Sequence, residues 1–511
     1  MNTKALRQKV LDLAIHGKLV PQNPNDESAE VLLKKFREEK AEKIKKGELK
    51  ADKKDSFIFT KECEFDEDKL GKCSSGTRHK RHYEQFADGT VKDIEDEIPF
   101  EVPEGWAWCR LNELADIARG GSPRPIENYI TDSLNGINWI KIGDTAPESK
   151  YIESAKEKIK PEGQKHSRFV HEGDFLLTNS MSFGRPYILK INGCIHDGWL
   201  VFANIKECVI KDYLYYALSS DYIYASFSMV AAGSTVKNLK SDTVKQVLFP
   251  LPPIKTQEKI VESIEESFSQ IDILDNEKSD LQTAINKTKS KILDLAIHGK
   301  LVPQDPNDEP AEELLKRIAT SDNRPYEKVE EESFEIPDSW KWVKLGDIGQ
   351  TNIGLTYHPN DISNTGITVL RSNNIQYDKL CFDDLVKVNP NTKIFNNQYI
   401  NNGDILICAR NGSQSLVGKC VLINNLREKT SFGAFMAVFR SHCNQYILKY
   451  LQSKYFKDYM FESNSTQIHQ LTQSMLKDAL IPFPPENEQA RIVSKIDELY
   501  FQLDQIQNNL I

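Results

Sequence analysis

The sequence has no apolar run near the roughly 20 residues that a membrane-spanning helix requires. Its first segment, Met1 to Gly17, has an amphipathic helical pattern with charges throughout, which differs from a signal peptide. A hydrophobic share of 39% and a charged share of 28% fit a soluble protein, and 511 residues are enough for about three domains. We therefore expect a cytoplasmic protein with more than one hydrophobic core.

Cysteine is also sparse. The nine cysteines are scattered singly, so we expect thiols in a reducing compartment and no disulfide framework. The grouping most like a metal site is Cys63, Cys73, His79 and His82, but its spacing matches no common zinc pattern and its surroundings are polar. We expect a solvated loop there and no metal site.

The chain also has no excess of basic residues. The formal net charge is −9, whereas DNA-binding proteins usually carry a basic footprint. Local charge differs from the total, because residues 335–482 hold 15 Lys and Arg against 12 Asp and Glu, and residues 97–250 hold 17 against 19. The acidic excess lies mostly in the helical segments and linkers, and net charge does not decide the partner.

What the sequence does contain is a long duplication. KVLDLAIHGKLVPQNPNDESAEVLLKKF (Lys9 to Phe36) returns as KILDLAIHGKLVPQDPNDEPAEELLKRI (Lys291 to Ile318), with one constant offset along the whole segment. A period as long as a whole domain excludes a solenoid and indicates a duplicated domain-sized unit. In the first copy we predict Gly17 as the C-cap of one helix and Asn25-Asp26 as the N-cap of the next.

After each copy of this segment comes a region that begins with one shorter repeat and ends with another. VPEGWAWCRLNEL (Val102 to Leu114) matches IPDSWKWVKLGDI (Ile336 to Ile348), with Trp pairs that alternate as on a strand with one buried face. PLPPIKTQEKIVESI (Pro250 to Ile264) matches PFPPENEQARIVSKI (Pro482 to Ile496), where prolines end a strand and a helix follows. Further strand-like runs correspond in the two copies, namely Ile137 to Lys141 with Ile367 to Arg371, and Gly173 to Leu177 with Gly403 to Ile407. Shared landmarks with unlike sequence between them predict one scaffold with two different surfaces.

The helix that follows the first of these strands is long. Thr256 to His298 would span roughly 65 Å at 1.5 Å per residue. Its heptad places one core row at Ile264, Ile271, Lys278, Ile285 and Ile292, and the other at Ser267, Leu274, Leu281, Thr288 and Leu295.

The C-terminal helix, Asn487 to Ile511, has its own apolar seam and then stops. By the repeat offsets Ile511 corresponds to Ser279 and Met1 to Thr283, so the N-terminal helix supplies what the C-terminal helix lacks.

The predicted fold is α+β, with two α/β domains separated by two long antiparallel coiled-coil helices in a circular pseudo-two-fold arrangement. The predicted segments are an N-terminal helical segment completing the distal coiled coil (1–36), a polar charged insertion (37–96), a first α/β domain (97–253), the central long helix with its repeat (254–320), a second α/β domain (321–484) and a C-terminal helix (485–511).

These features resemble the specificity subunits of type I restriction-modification systems. The resemblance covers nearly the whole chain and rests on the duplicated LAIHGKLVPQxPNDExA segment, the P-x-P-P-x-x-x-Q that starts each long helix, and the GGSP loop from Gly120 to Pro123. It implies a non-catalytic DNA reader with two target recognition domains, each for one half of a split asymmetric sequence. The helices would set the spacing between the halves and bind two methyltransferase subunits, and restriction subunits would join that core.

The sequence also lacks the loops that catalysis would need. It has no Asn-Pro-Pro-aromatic motif for adenine methylation, no glycine-rich loop for S-adenosylmethionine and no Walker A loop. We therefore expect no cofactor on this chain, and the resemblance places S-adenosylmethionine, ATP and Mg on the partner subunits. A coiled-coil adaptor with two protein-binding domains stays open as an alternative, and a self-contained restriction enzyme is disfavoured by the missing motifs.

Polar loops of the two domains are the candidate DNA-reading elements, because Arg, Lys, Asn, Gln, Ser and Thr are the side chains that reach base edges and phosphates. In the first domain the candidates are Arg119, Ser122, Arg124, Lys141, Asn179, Ser180, Ser182, Arg185, Ser234, Thr235, Lys237 and Asn238. In the second domain they are Tyr357, His358, Arg371, Ser372, Asn373, Asn374, Arg410, Asn411, Ser413, Gln414, Thr466, Gln467 and His469. His16 and His298 end equivalent helices, where we expect capping side chains and not metal ligands or catalytic groups.

Overall fold

The computed structural model describes residues 2–48, 55–63, 79–146, 149–179, 183–231, 238–322, 326, 327, 329, 333–376, 378–426, 428–462 and 470–509. It divides into two compact units, Met1–Asn276 and Glu277–Ile511. Both units mix helices with sheets and repeat one order of elements, as the duplication predicts. No helix in the described part of the chain is long and apolar enough to cross a membrane.

The helices are α1 (Thr3–Ile15), α2 (Ala29–Lys45), α3 (Leu111–Leu114), α4 (Lys211–Leu218), α5 (Asp221–Val230), α6 (Ser241–Lys245), α7 (Ile254–Ile297), α8 (Ala311–Asp322), α9 (Leu345–Ile348), α10 (Asn444–Gln452), α11 (Lys454–Glu462), α12 (Gln473–Asp478) and α13 (Glu486–Asn509). The long helix α7 contributes to both units.

The strands of the first unit are β1 (Ser56–Cys63), β2 (His79–Phe86), β3 (Val91–Asp93), β4 (Ala107–Arg110), β5 (Asp116–Arg119), β6 (Ile137–Ile140), β7 (Tyr151–Ile152), β8 (Glu157–Ile159), β9 (Arg168–Val170), β10 (Phe175–Thr178), β11 (Pro186–Leu189), β12 (Gly193–Ile195), β13 (Trp199–Ala203) and β14 (Leu248–Leu251). Those of the second unit are β15 (Lys341–Lys344), β16 (Gln350–Ile353), β17 (Ile362–Leu370), β18 (Ile375–Gln376), β19 (Lys379–Leu380), β20 (Val386–Val388), β21 (Ile405–Cys408), β22 (Cys420–Leu422), β23 (Thr430–Phe432), β24 (Met436–Arg440) and β25 (Leu480–Phe483).

The central sheets of the two units share four strands in the same order, and the first unit adds β7 at one edge. In the first unit the sheet order β5-β13-β10-β11-β7 corresponds to β16-β24-β21-β22 in the second. A second sheet, β8-β6-β12-β9, corresponds to β20-β17-β23, and in both units one pair of its strands is parallel. Each unit also pairs its Trp-containing entry strand with the strand before the long helix, as β4 with β14 and β15 with β25. The predicted landmark strands are thus confirmed.

Each duplicated segment ends its first helix in the same way. Gly17 and Gly299 have positive φ angles of 65° and 67°, which favour glycine. The helix α1 ends here as predicted, but its C-cap is His16 and Gly17 is the residue after the cap. His16 lies at the C-cap of α1, and its Nδ1 is 2.7 Å from the Asp12 carbonyl oxygen. His298 makes the matching contact to the backbone oxygen of Asp294 at 2.7 Å. The expected capping role of both histidines agrees with this geometry.

Each of these histidines also joins an aromatic cluster within its unit. In the first unit His16 contacts Phe100 with ring centroids 4.0 Å apart, and Phe100 meets Trp108 at 5.0 Å. The cluster ties the repeated segment to the entry strand, and Trp108 is a core anchor as the sequence predicts. The second unit repeats the cluster with His298, Phe334 and Trp342, at centroid distances of 3.9 and 4.8 Å.

Residues 37–96, expected as a polar charged insertion with a solvated loop around Cys63 and His82, contain a sheet instead. The described part contains β1, β2 and β3, which form an antiparallel sheet, and Thr60 of β1 donates to Glu30 of α2 at 2.8 Å. The sequence of β2 is polar, and even its inward face includes a charged residue, Glu84. The Glu84 carboxylate pairs with Arg110 at 2.6 Å, and both side chains are nearly buried. This sheet also covers the second face of β4, where all four residues are buried, so the predicted single buried face is wrong in the first unit.

Two smaller expectations also change. The N-cap of α2 is Ser28, whose hydroxyl accepts from the Val31 amide, and not Asn25-Asp26. On α7 the heptad row of Ile264, Ile271, Ile285 and Ile292 is buried, whereas Leu274 and Leu281 of the other row are exposed.

The glutamine of the first P-x-P-P-x-x-x-Q segment has a structural role. Gln257 is fully buried, and its Oε1 accepts from the Ile210 amide at 2.7 Å. Its Nε2 donates to the carbonyl oxygens of Cys208 and Pro252, both at 2.9 Å. The side chain therefore satisfies one main-chain group just before α7 and two just before α4, and so holds the starts of these two helices together.

We predict that Gln257→Ala destabilises the first unit by about 2–4 kcal/mol, because it leaves buried polar groups unpaired and opens a cavity. Urea unfolding followed by Trp fluorescence measures the change. Gln270→Ala, at an exposed position of the same helix, is the matched control and should cost less than about 0.5 kcal/mol. Equal stability of the two variants would contradict the buried network.

Candidate nucleic-acid interface

In the first unit the predicted loops meet at the turn from His196 to Gly198, which joins β12 to β13. Ser122 Oγ donates to Asp197 Oδ1 at 3.0 Å, and Arg124 Nη2 pairs with Oδ2 at 3.1 Å. Partial burial opposes ionisation of this carboxyl, but the Ser122 hydroxyl and the nearby positive charges hold the pKa of Asp197 below its usual range. The GGSP loop is therefore organised around one carboxylate.

The main chain of the same turn binds two more predicted residues. The carbonyl oxygen of Asp197 accepts from Arg119 Nε at 2.9 Å and from Asn179 Nδ2 at 2.8 Å. Arg119 is exposed, whereas Asn179 is buried, so the Asn179 side chain holds the turn in place. Asn238 is held near Asn179 in space, because the amide of the following residue, Leu239, donates to the Asn179 carbonyl at 2.9 Å.

Within the described part of the first unit, the remaining predicted residues do not bind Asp197 of this turn. Lys141 forms an ion pair with Glu157 and precedes Ile142, which contacts the His196 ring. Arg185 is exposed at the start of β11. Five predicted residues lie outside the described part of the chain: Ser180, Ser182, Ser234, Thr235 and Lys237.

In the second unit the predicted loops surround a cavity of about 940 Å³. The predicted residues in its lining are Tyr357, Arg371, Ser372, Asn373, Arg410 and Asn411. Arg371 Nη2 pairs with Asp384 at 2.9 Å, whereas Arg410 has no ion-pair partner among the described residues. Asn411 Nδ2 donates to Ser372 Oγ at 3.3 Å and links two of the loops.

Other predicted residues of the second unit lie outside this lining. Asn374 is buried, and its Nδ2 donates to the carbonyl oxygens of Cys381 and Asp384, so its side chain stabilises the loop itself. Three are exposed but do not line the cavity: His358, Ser413 and Gln414. Three lie outside the described residues: Thr466, Gln467 and His469.

The two clusters are built on one backbone frame. The Gly120 amide donates to the Trp199 carbonyl at 2.9 Å, and the Gly354 amide donates to the Met436 carbonyl at 3.3 Å. A side chain at Gly120 would approach the His196 carbonyl oxygen to 2.2 Å, and one at Gly354 would approach the Gly433 oxygen to 2.3 Å. Glycine is therefore required where each loop passes the turn.

Backbone hydrogen bonds also show which turn residues of the first unit correspond to which turn residues of the second. Asn179 directly follows β10, as Ala409 directly follows β21. The carbonyl oxygen of Gly198 accepts from the Asn179 amide at 3.0 Å, and that of Phe435 accepts from the Ala409 amide at 2.9 Å. Gly198 in the first unit thus corresponds to Phe435 in the second, and Asp197 corresponds to Ala434. The backbone is repeated, while the side chains it displays are exchanged.

Asp197 and Phe435 are the site residues that sequence reasoning missed. Both lie on a turn between two apolar strands, where Trp199 corresponds to Met436. The offset between the copies is larger there than at the flanking repeats, which begin at Val102 and Ile336 and at Pro250 and Pro482. A search at fixed offset does not align the turns. Aligning the strands β13 and β24 before comparing the turns would have found both residues.

The metal grouping considered from sequence remains without support. Cys73 lies outside the described residues, and His82 Nδ1 is 3.0 Å from Glu95 Oε2. The part of the chain that the structure describes holds no set of three His, Cys, Asp or Glu side chains able to bind a metal ion. The seven cysteines whose side chains are described are free, and six of them are buried.

Two copies of one mixed scaffold, with unlike side chains at the same turn, define a protein with two duplicated and diverged domains. A family model described as the type I restriction modification DNA specificity domain matches residues 103–283 and 337–511. The chain therefore belongs to the family of type I restriction-modification DNA specificity subunits.

Individual relatives agree. The chain is 26% identical to the type I restriction enzyme EcoAI specificity subunit of Escherichia coli, covering 97% of this chain and 88% of that protein. It is also 26% identical to the EcoEI specificity subunit of Escherichia coli, covering 99% and 90%. A solved chain from work on complex assembly and conformational transition of the type I R-M system matches with a TM-score of 0.54 at 18% identity, covering 81% and 94%. That likeness concerns the fold.

We predict a pH dependence at the first turn. The amides of Gly198 and Ile142 point at His196 Nδ1 and Nε2, at 2.7 and 3.2 Å. A neutral ring can accept from one of these amides, whereas a protonated ring can accept from neither. Burial lowers the pKa of His196, with Lys141 adding to the effect and Asp197 opposing it. Because the unfolded ring binds a proton first, local stability falls as the pH drops below about 6.5.

Hydrogen exchange of peptides covering Ile142 and Gly198 measures this effect, and protection should fall between pH 7 and pH 5.5. His196→Gln should abolish that pH dependence, whereas His171→Gln, at an exposed histidine of the same unit, should keep it. Protection that stays constant in the wild-type chain would refute the prediction.

Proposed function

We propose that each unit reads one half of a bipartite, asymmetric DNA sequence for a type I restriction-modification complex. The observation that carries the proposal is the repeated turn, which displays Asp197 and Gly198 in one unit and Ala434 and Phe435 in the other. A common frame with exchanged side chains suits two readers that dock on DNA alike but prefer different bases.

The cavity of the second unit has the chemistry of base recognition. Arginine pairs with the O6 and N7 atoms of guanine, and asparagine with the N6 and N7 atoms of adenine. Arg371, Arg410, Asn373 and Asn411 converge on the cavity, and its two guanidinium groups favour a negatively charged partner. A protein-binding adaptor gives no reason for this set of side chains.

The cluster of the first unit offers a different set of contacts. The Arg124 side chain is 79% exposed although it pairs with Asp197, so its free edge is available to a base or a phosphate. Asp197 itself stays ionised, and a carboxylate in the major groove accepts hydrogen bonds from the amino group of cytosine. Arg119 adds a second exposed cation beside the same turn.

We further propose that the long helices form antiparallel coiled-coil pairs that set the spacing between the half-sites. In the first unit Arg7 of α1 pairs with Asp272 of α7 at 2.5 Å, and its guanidinium lies 5.0 Å from the Phe268 ring centroid. Leu11 and Ile264, further along the two helices in opposite directions, pack in one core. These contacts support an antiparallel pair.

The second unit supports the pair with corresponding residues. Lys289 of α7 pairs with Asp504 of α13 at 2.5 Å, and its ammonium lies 5.3 Å from the Tyr500 ring centroid. Lys289 corresponds to Arg7 at the offset of the long duplication, and Asp504 corresponds to Asp272 at the offset of the C-terminal repeat, so both repeats agree at this contact. This agreement favours the circular pseudo-two-fold arrangement.

Catalysis and its cofactors belong, in this proposal, to partner subunits. Two methyltransferase subunits would dock on the helices, restriction subunits would join the resulting core, and S-adenosylmethionine, ATP and Mg would bind there. The duplicated segment itself is a poor docking surface, because Leu11, Ile15 and Leu33 are buried in their own unit. Exposed apolar side chains on the helices suit docking better, namely Ile273, Leu274, Leu281, Phe501 and Ile506.

We predict that Arg410→Ala and Arg124→Ala relax base preference in opposite halves of the recognised sequence. Loss of one base contact should reduce discrimination by about 10- to 100-fold, since such a contact contributes about 1–3 kcal/mol. The measurement is methylation of a randomised DNA library by the chain assembled with its cognate methyltransferase subunits.

Lys454→Ala is the control, because Lys454 is exposed on α11 and pairs only with the neighbouring Asp458 among the described residues. It should leave both halves unchanged. If the two arginine variants relax the same half, or if the wild-type assembly methylates no split sequence, the proposed function is wrong.

A further inference from the structure

Phe435 is a large apolar side chain that the second unit holds in the open. Its side chain is 63% exposed, yet its carbonyl oxygen accepts from the amides of Ala409 and Arg410 at 2.9 and 3.0 Å. The same turn is fixed again where the Gly433 amide donates to the Leu370 carbonyl at 2.9 Å. A rigid turn that keeps an aromatic ring in water gains nothing from it in the free protein.

The surroundings of the ring indicate what it contacts. Phe435 lines the cavity together with Ile362, which is 52% exposed, and with the polar side chains of Arg371, Asn373 and Arg410. A base edge in the major groove presents hydrogen-bonding groups and a single kind of apolar group, the C5 methyl of thymine. The apolar part of the cavity therefore matches a thymine methyl.

Insertion of the ring between stacked bases fits the geometry less well. Side chains that act as wedges enter the stack and unstack neighbouring bases. Phe435 instead lines a concave surface, and the Arg410 guanidinium lies over one ring face, 5.7 Å from the centroid. A ring inserted between two stacked bases needs both of its faces, and the cation covers one of them.

We propose that Phe435 determines specificity by packing against the C5 methyl of a thymine in the half-site read by the second unit. This inference rests on the proposed function and adds one base to it. The first unit has Gly198 at the equivalent position, so its half-site has no such apolar contact from this turn.

Deoxyuridine tests the contact, because it lacks only the methyl group of thymine. Once methylation has defined the split sequence, each thymine in the second half is replaced singly by deoxyuridine, and binding by the assembled complex is measured. For the wild-type chain one position should weaken binding about fivefold, as expected for one buried methyl group. For Phe435→Ala, thymine and deoxyuridine should bind equally at that position.

Phe395→Ala is the matched control, since Phe395 is 58% exposed in the same unit, has a lysine 5.2 Å from its ring centroid and does not line the cavity. It should retain the fivefold preference for thymine. A second half-site without thymine, or wild-type binding insensitive to every replacement, overturns the inference while leaving two-part recognition intact. Methylation of no split sequence would instead remove the proposed function itself.

Discussion

Each half of the protein depends on a glycine that no other residue can replace. Gly17 and Gly299 hold positive φ angles, and a Cβ atom at either would lie only 2.3 or 2.5 Å from the Cγ of Pro103 or Pro337. Because the helix end must turn at that point and pass the proline, the repeated segment is locked to the entry strand of its own recognition domain. The recognition loops can then vary without moving the frame that carries them.

The general architecture follows from the sequence because it rests on repetition and apolar periodicity, which are local properties. The duplicated helices, the Trp-containing strands and the long helix α7 lie close to their predicted bounds. The sheet of β1, β2 and β3 could not be predicted in this way. Its buried face contains Glu84, and the carboxylate is tolerated there because Arg110, distant in sequence, pairs with it at 2.6 Å and the Ser56 hydroxyl donates to it at 2.6 Å.

The candidate site was predictable as a set of loops but not as a set of contacts. The GGSP loop and the loop after β21 were identified from their polar residues, and the structure brings Arg124 to one turn and Arg410 to its counterpart. The turns themselves could not be predicted from a fixed repeat offset, because the offset between the two copies is larger there than at the flanking repeats. Burial also separates residue types that look alike in sequence, since Asn179 and Asn374 hold main-chain groups while Asn373 and Asn411 line the cavity.

The central claim is that one scaffold, used twice, assigns each half of the recognised sequence to one unit. Its most direct test replaces residues 336–483 by a second copy of residues 102–251, joined at the equivalent strand ends, and maps methylation by the assembled complex. We expect a symmetric split sequence in which the first half-site occurs twice in inverted orientation. The reciprocal replacement should duplicate the second half-site. A methylated sequence that keeps its original, asymmetric halves in either chimera would contradict the assignment of one half-site to each unit.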